Sequence, residues 1–357
     1  MPFTLLHTAD LHLGKSFSTF APERAGQRRA DLLATLARLC RAARERRVDL
    51  LCIAGDLFDD PSPPPATLAA ASRALAEASV PVLLLPGNHD PLEEDSPYLT
   101  HRWPGSVRVA AAPGWQRIPL DGPETWAFGY ARGGAHRSPW TDFPGCGPEA
   151  LLALHAACLA PGLAAAGSAY PFTPAEIPPC AYLALGHHHR HAQVARAPLA
   201  CYAGAPEPLE AETETTPATA LLVTLDGGTA TAAPIPVATR RHRRATLDVT
   251  GLTAAAVWER ALAVASPDDL LTLELTGTLD AGVELDVTAL RGELNGRCFA
   301  AEVRAALAFS TDWEGAEGVM AALREAVAAR QARSSPDAQA RLARAAHYAA
   351  RALEGTL

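Results

Sequence analysis

Seven side chains capable of chelation recur at particular places in this sequence. Asp10 and His12 stand two apart, as do His187 and His189, and in an extended backbone residues at that spacing point the same way and can grip one ion. Asp56, Asn88 and His155 each follow or end a short apolar run. Carboxylate oxygen mixed with imidazole nitrogen and one amide oxygen suits manganese, iron or zinc, whereas a thiolate-rich set would indicate structural zinc. So many ligands exceed what one ion takes. Two cations about 3.5 to 4 Å apart with a carboxylate between them would use them all, and that arrangement hydrolyses phosphoesters. Set against Asp10 and Asp56, two divalent cations leave the pocket about two charges positive. A phosphodiester can then be held locally even by a chain whose formal net charge is -8.

The hydrophobic pattern indicates which elements position these residues. Phe3 to Thr8, Leu50 to Ala54 and Val80 to Leu85 read as strands. The spacing of Leu32, Leu36, Leu39 and Ala43 predicts a helix over about 24–47, and an Ala-rich stretch predicts a second over about 66–78. This β-α-β-α-β order is the signature of a layered α/β domain, whose strands present their carboxyl ends on one ligand-binding rim. Leu151 to Leu154 and Tyr182 to Leu185 are two more apolar strands, each running into histidine, and further strands are expected over 105–130 and 181–237. A Pro- and Thr-rich stretch, 206–219, and then Arg240, Arg241, His242, Arg243 and Arg244 mark a composition shift that sets a domain boundary near 238. Beyond it, Thr246 to Thr250, a helix near 253–265 and the alternating Leu271 to Leu275 predict a small α+β module. The tail is expected to be two helices. One carries Val319, Met320, Leu323 and Val327 on one face; the other has Ser335 as its cap, Pro336 at its first position and Gly355 at its end.

Five segments, HTADLHLG (7–14), GDLFDD (55–60), GNHD (87–90), LLALH (151–155) and GHHH (186–189), occur in the order and wording of the calcineurin-like metallophosphoesterases. Within that superfamily the chain resembles DNA repair exonucleases of the SbcD and YhaO type, bacterial relatives of the meiotic-recombination-eleven nucleases. CYAGAPEPLE (201–210) is similar to the segment after the family's last histidine, and RRATLDVTG (243–251) to the start of its capping domain. The resemblance implies an α/β fold with a layered metallophosphoesterase core over 1–238, a smaller α+β capping domain over 239–310, and a helical C-terminal segment, 311–357, that matches nothing. It implies that Asp10, His12 and His189 bind one metal, that Asn88, His155 and His187 bind a second, and that Asp56 bridges them, with manganese expected and iron or zinc as alternatives. A water between the ions is then the nucleophile. His89 is implied to protonate the leaving oxygen, with Asp90 orienting its ring. The implied activity is a two-metal DNA exonuclease, extending to internal cuts in single strands. The implied partners are DNA and a coiled-coil ATPase of the SbcC or YhaN type, and the implied assembly is a homodimer. Asp59 departs from the archaeal and eukaryotic relatives, which carry His after GDLF. The histidine run also permits a second register, His189 and His191, beside His187 and His189.

Other features exclude or remain open. Seven Cys with no CxxC pair indicate neither a disulfide framework nor a zinc knuckle. No apolar run approaches the roughly 18 residues of a membrane helix and the N-terminus lacks a signal-peptide pattern, so a cytoplasmic, nucleoid-associated protein without a membrane partner is expected. The acidic balance argues against coating nucleic acid by bulk electrostatics. His7, His101, His136, His242 and His347 lie outside the strand-end pattern and read as core or solvated. Lys15 and Phe17 either reach a nucleotide or cap and pack the first loop; the arginine run is either a solvated linker or a phosphate contact. The Met320, Leu323 and Val327 stripe is either core or a docking face. Two rival functions share the same residues: a phosphodiesterase or phosphatase for cyclic nucleotides or small phosphoesters, and a non-catalytic scaffold on the same fold, against which the complete ligand set speaks.

Overall fold

Runs such as Leu50–Ala54 and Val82–Leu85 have no polar face to turn to solvent, and both are buried along their whole length. The computed structural model describes residues 2–163, 169–209, 218–280, 283–311, 313 and 316–353; Glu210 and Gly355 lie outside them. The chain divides into two compact units, Met1–Arg240 and Arg241–Leu357.

In the first unit the chain forms β1 (Phe3–Thr8), α1 (Pro22–Glu45), β2 (Leu50–Ala54), α2 (Pro65–Ala76), β3 (Val82–Leu85), α3 (Pro97–Thr100) and β4 (Val107–Val109). There follow β5 (Gly114–Arg117), β6 (Thr125–Gly129), β7 (Leu151–His155), β8 (Tyr182–Gly186), β9 (Ala192–Arg196), β10 (Leu199–Tyr202), β11 (Thr219–Asp226) and β12 (Thr229–Pro236). They build two six-stranded sheets, ordered β12-β11-β1-β2-β3-β4 and β5-β6-β7-β8-β10-β9. Strands β1 to β4 run parallel, and β11 returns antiparallel beside β1. In the second sheet β6, β7, β8 and β10 are parallel. Pro22 opens α1, where its missing N–H is no loss, while Glu23 in the first turn and Arg44 in the last match the helix dipole. Strand β3 starts at Val82 rather than Val80, since Pro81 has no N–H to give a ladder.

The two sheets face each other across one apolar layer, with Leu5, Leu50, Cys52 and Leu83 on one side and Leu151, Ala153, Tyr182 and Ala184 on the other. Leu32, Leu36 and Leu39 of α1 and Leu75 of α2 cover the other face of the first sheet, against Leu6, Leu51, Ile53 and Leu84. The far face of the second sheet is covered differently. There Leu152, Leu154, Leu183 and Leu185 pack with Tyr130, Tyr170, Phe172, Trp140 and Phe143, aromatic residues outside the strands.

His7 belongs to the core. It is fully buried, and its Nδ1 lies 2.9 Å from the Tyr182 hydroxyl. Desolvation drives its pKa from 6.5 down to about 3, so the fold holds it neutral and its unfolded form binds the extra proton. Stability is therefore undiminished by this residue above pH 6.5 and falls as the pH is lowered from 6.5 towards 3, by about 1.4 kcal/mol per unit. His7→Gln is expected to flatten the acid limb of a urea-denaturation series between pH 6.5 and 4.5; an unchanged slope rules this out.

The second unit contains β13 (Arg241–Asp248), α4 (Ala254–Ala263), β14 (Asp269–Leu279), α5 (Val287–Arg297), β15 (Ala300–Phe309), α6 (Gly318–Gln331) and α7 (Pro336–Leu353). Its three strands are all parallel, in the order β13-β14-β15, with α4 and α5 as crossovers onto a core that includes Val257, Leu273, Leu275, Leu290 and Leu294. The arginine run is not a solvated linker, because β13 begins within it. Arg241 and Arg243 flank the buried Asp269 at 3.0 and 3.8 Å, and Arg244 meets Glu274 at 3.0 Å. Alternation along a strand puts residues 241 and 243 on one face, which is what lets both reach the same carboxylate. On α6, Met320, Leu323 and Val327 are half-buried and Val319 is exposed.

Candidate metal centre

The carboxyl ends of β1, β2, β3, β7 and β8 converge; His155 ends β7, and the other chelating residues sit on the bends just beyond their strands. Asp10, His12, Asp56 and His187 have φ of 56°, 48°, 50° and 113°, a region side-chain-bearing residues rarely adopt. Strain concentrated in this way is typical of functional sites. The first two bends are held by Asp10 N–H to the Gly55 carbonyl and His12 N–H to the Asp56 carbonyl, both at 3.1 Å. Two glycines allow the close approach. A Cβ on Gly55 would lie 2.1 Å from His155 Nδ1, and one on Gly87 would lie 2.2 Å from Asp56 Oδ1.

Three sets of side chains each bring their ligand atoms within 4.8 Å: Asp10, His12 and His189; Asp10, Asp56 and His155; and His12, Asp56 and His89. Asn88 Oδ1 adds an amide oxygen, 2.9 Å from His155 Nε2 and 2.8 Å from His187 Nδ1. Asp56 Oδ2 lies between the groups, 3.6 Å from His12 Nε2 and 3.5 Å from His155 Nε2. Its Oδ1 accepts the His89 backbone N–H at 2.9 Å. Asp10 accepts the His187 N–H at 3.1 and 3.2 Å.

The tautomers sharpen the picture. His155 Nδ1 is 2.9 Å from the Ala54 carbonyl, which only accepts, so that nitrogen carries the proton and Nε2 presents a lone pair. That lone pair faces Asn88 Oδ1, another acceptor. His12 Nδ1 likewise donates to Asp59 Oδ1 at 2.9 Å, and its Nε2 then faces His189 Nε2 at 3.2 Å. Facing acceptors repel unless a proton or a cation lies between them. Two ligands of one ion at about 2.1 Å, subtending 90 to 109°, stand about 3.0 to 3.4 Å apart, close to these separations.

Titration adds no second proton to the His155 ring, which leaves a cation to separate its Nε2 from Asn88 Oδ1. Burial drives the His155 pKa below its ordinary value, and drives His189 down to about 3, with His12 adding to the effect there, so both rings are neutral near pH 7. Burial also pushes Asp10 well above the usual carboxylate range, and the neighbouring Asp56 pushes it further. For Asp56 burial acts upward too, but the imidazoles of His155, His12 and His89 outweigh it and hold it low. Among the described residues neither carboxylate has a lysine or arginine ion pair. The donor set fits hard or borderline divalent ions.

His187 and His189 are the histidines seated in the cluster, whereas His191 Nδ1 bonds the Tyr202 carbonyl at 2.9 Å. The His89 ring lies edge-on to His12, centroids 4.6 Å apart, and its Nδ1 donates to the Asp59 carbonyl at 3.1 Å. The expectation that Asp90 orients this ring is corrected. Asp90 is fully buried and accepts from Gly87 N–H at 2.7 Å, Phe58 N–H at 2.8 Å and the Tyr98 hydroxyl at 2.6 Å, so it ties the GNHD turn to the GDLF turn. Nothing in the spacing marks Tyr98 for this contact. Phe17 is buried beneath the Arg28 guanidinium, 5.0 Å from its ring centre, and Lys15 Nζ lies 3.4 Å from Asp59, so both pack the first loop.

Comparison with known proteins follows the same line. Residues 3–139 match the calcineurin-like phosphoesterase family. Over 274 residues the chain is 29% identical to the DNA double-strand break repair protein Mre11 of Aeropyrum pernix, an alignment covering 69% of this chain. It covers 63% of that protein, so the chain matches somewhat less than two thirds of its curated relative's length.

Proposed function

We infer, from the match of residues 3–139 to the calcineurin-like phosphoesterases and the likeness to a DNA repair protein, that this chain is a metal-dependent phosphodiesterase acting on DNA in repair. The observation that carries the two-metal form of this reading is Asp56 Oδ2, nearly equidistant from His12 Nε2 and His155 Nε2. Asp10, His12 and His189 would hold one cation, Asn88, His155 and His187 the other, and Asp56 both. When bound, such a pair polarises a phosphoryl oxygen and lowers the pKa of water towards about 7. Manganese is the metal proposed, and exonucleolytic cleavage the mode. His89 has its Nδ1–H engaged by the Asp59 carbonyl, so in the imidazolium form its second proton, on Nε2, is the one it would give to the leaving oxygen, leaving the neutral ring. DNA as substrate is supported by the motif resemblance and by the relative's name. A coiled-coil ATPase partner and a homodimeric assembly belong to the same proposal. No helix among the described residues is long and apolar enough to cross a membrane.

The purified chain is expected to degrade linear DNA with manganese and to stop on addition of a chelator. His89→Gln should lower kcat by about 10²- to 10⁴-fold while both ions remain by mass spectrometry. Equal turnover by wild type and variant overturns the role given to His89. A panel of DNA, bis-p-nitrophenyl phosphate and cyclic nucleotides tests the substrate, and DNA as much the poorest of them moves the assignment to small phosphoesters.

A further inference from the structure

Asp59 is not a ligand in the reading above, yet it touches the site closely. Its Oδ1 accepts the His12 Nδ1–H at 2.9 Å and lies 3.4 Å from Lys15 Nζ. Its own N–H donates to the Leu13 carbonyl at 3.1 Å, tying the loop after β2 to the loop after β1. His12 is 1% exposed, so its ring has no water to turn towards.

We propose that Asp59 is a positioning residue that makes the two cation sites unequal, its carboxylate holding His12 in the tautomer that presents Nε2 to Asp56 and His189. The inference rests on the two-cation reading above. A carboxylate on the far ring nitrogen fixes the imidazole and makes it a stronger donor through the near one. On the other side of Asp56, His155 is oriented by the Ala54 carbonyl, a neutral partner. One histidine on each side of the bridging carboxylate is thus oriented from behind, but only His12 has a charged group behind it. Lys15, sharing the same Asp59 oxygen, draws some of that charge away.

The test is manganese titration of the full chain by calorimetry, with electron paramagnetic resonance of the bound ions. Wild type is expected to show two classes of site. Asp59→Ala should weaken one class by about 10- to 100-fold and leave the other within about threefold, with turnover largely restored by excess manganese. Asp59→Asn keeps an oxygen to accept from Nδ1 and should fall between the two, which a merely structural role would not produce. Two ions in wild type with both affinities unchanged in Asp59→Ala, or both weakened alike, overturn this inference alone. A wild-type chain that binds no manganese overturns the proposed function and this inference with it.

Discussion

Asp56→Asn is expected to reduce phosphodiester hydrolysis by about 10⁴-fold or more, roughly 5 kcal/mol of transition-state stabilisation at 1.36 kcal/mol per decade. The substitution keeps an oxygen to accept the His89 N–H, so the turn that follows β3 can persist. What it removes is the negative charge midway between His12 Nε2 and His155 Nε2. A neutral amide oxygen binds one cation weakly and two scarcely at all, and the loss of both returns the nucleophile to bulk water. The thermal stabilisation that manganese gives the parent, about 2.7 kcal/mol at one hundred times Kd, should vanish in the variant. Metal content, melting temperature with and without manganese, and turnover check this together. Two retained ions with turnover within tenfold of the parent would remove Asp56 from the centre of the mechanism.

Glu207→Ala is expected to destabilise the first domain by about 3 to 5 kcal/mol. Glu207 is 1% exposed and accepts from Arg28 Nη1 and the Thr35 hydroxyl, both at 2.8 Å, and from the backbone N–H groups of Thr239 at 2.6 Å and Arg240 at 3.1 Å. Arg28, equally buried, also donates to Asp31 and the Pro208 carbonyl, and Arg240 reaches the same Asp31 at 2.9 Å. Truncating the carboxylate leaves a guanidinium and two N–H groups short of a partner in a dry interior, which is the costly way to break such a network. The midpoint of urea denaturation, read by tryptophan fluorescence with the slope unchanged, measures it. A change below about 1 kcal/mol would mean that water enters the gap.

The sequence reveals most where one residue type does one job. The unbroken apolar runs of β2, β3, β7 and β8 can only be strands covered on both faces, and the Asp, Asn and His residues that follow them have no reason to sit at strand ends other than a shared rim. What stays hidden depends on partners far along the chain. Arg28 meets Glu207 across 179 positions, and neither looks unusual in its own neighbourhood. Asp90 follows His89 and so looks like its partner, but a side chain adjacent in sequence points elsewhere, and the carboxylate instead braces two turns. Asp59 looks like a lost histidine until His12 is seen against it. The aromatic cover of the second sheet escapes periodicity because the residues that supply it are neither helical nor evenly spaced.

The strand that leads to Asp10 and His12 has β2 on one side and β11, made more than two hundred residues later, on the other. A ribosome adding about 5 to 20 residues per second takes on the order of ten to forty seconds to travel that distance. Thr239 and Arg240, which close the charged network around Glu207, emerge later still. An unfinished nascent chain therefore carries all seven of its chelating side chains before β11 has joined the sheet beside the strand that leads to two of them.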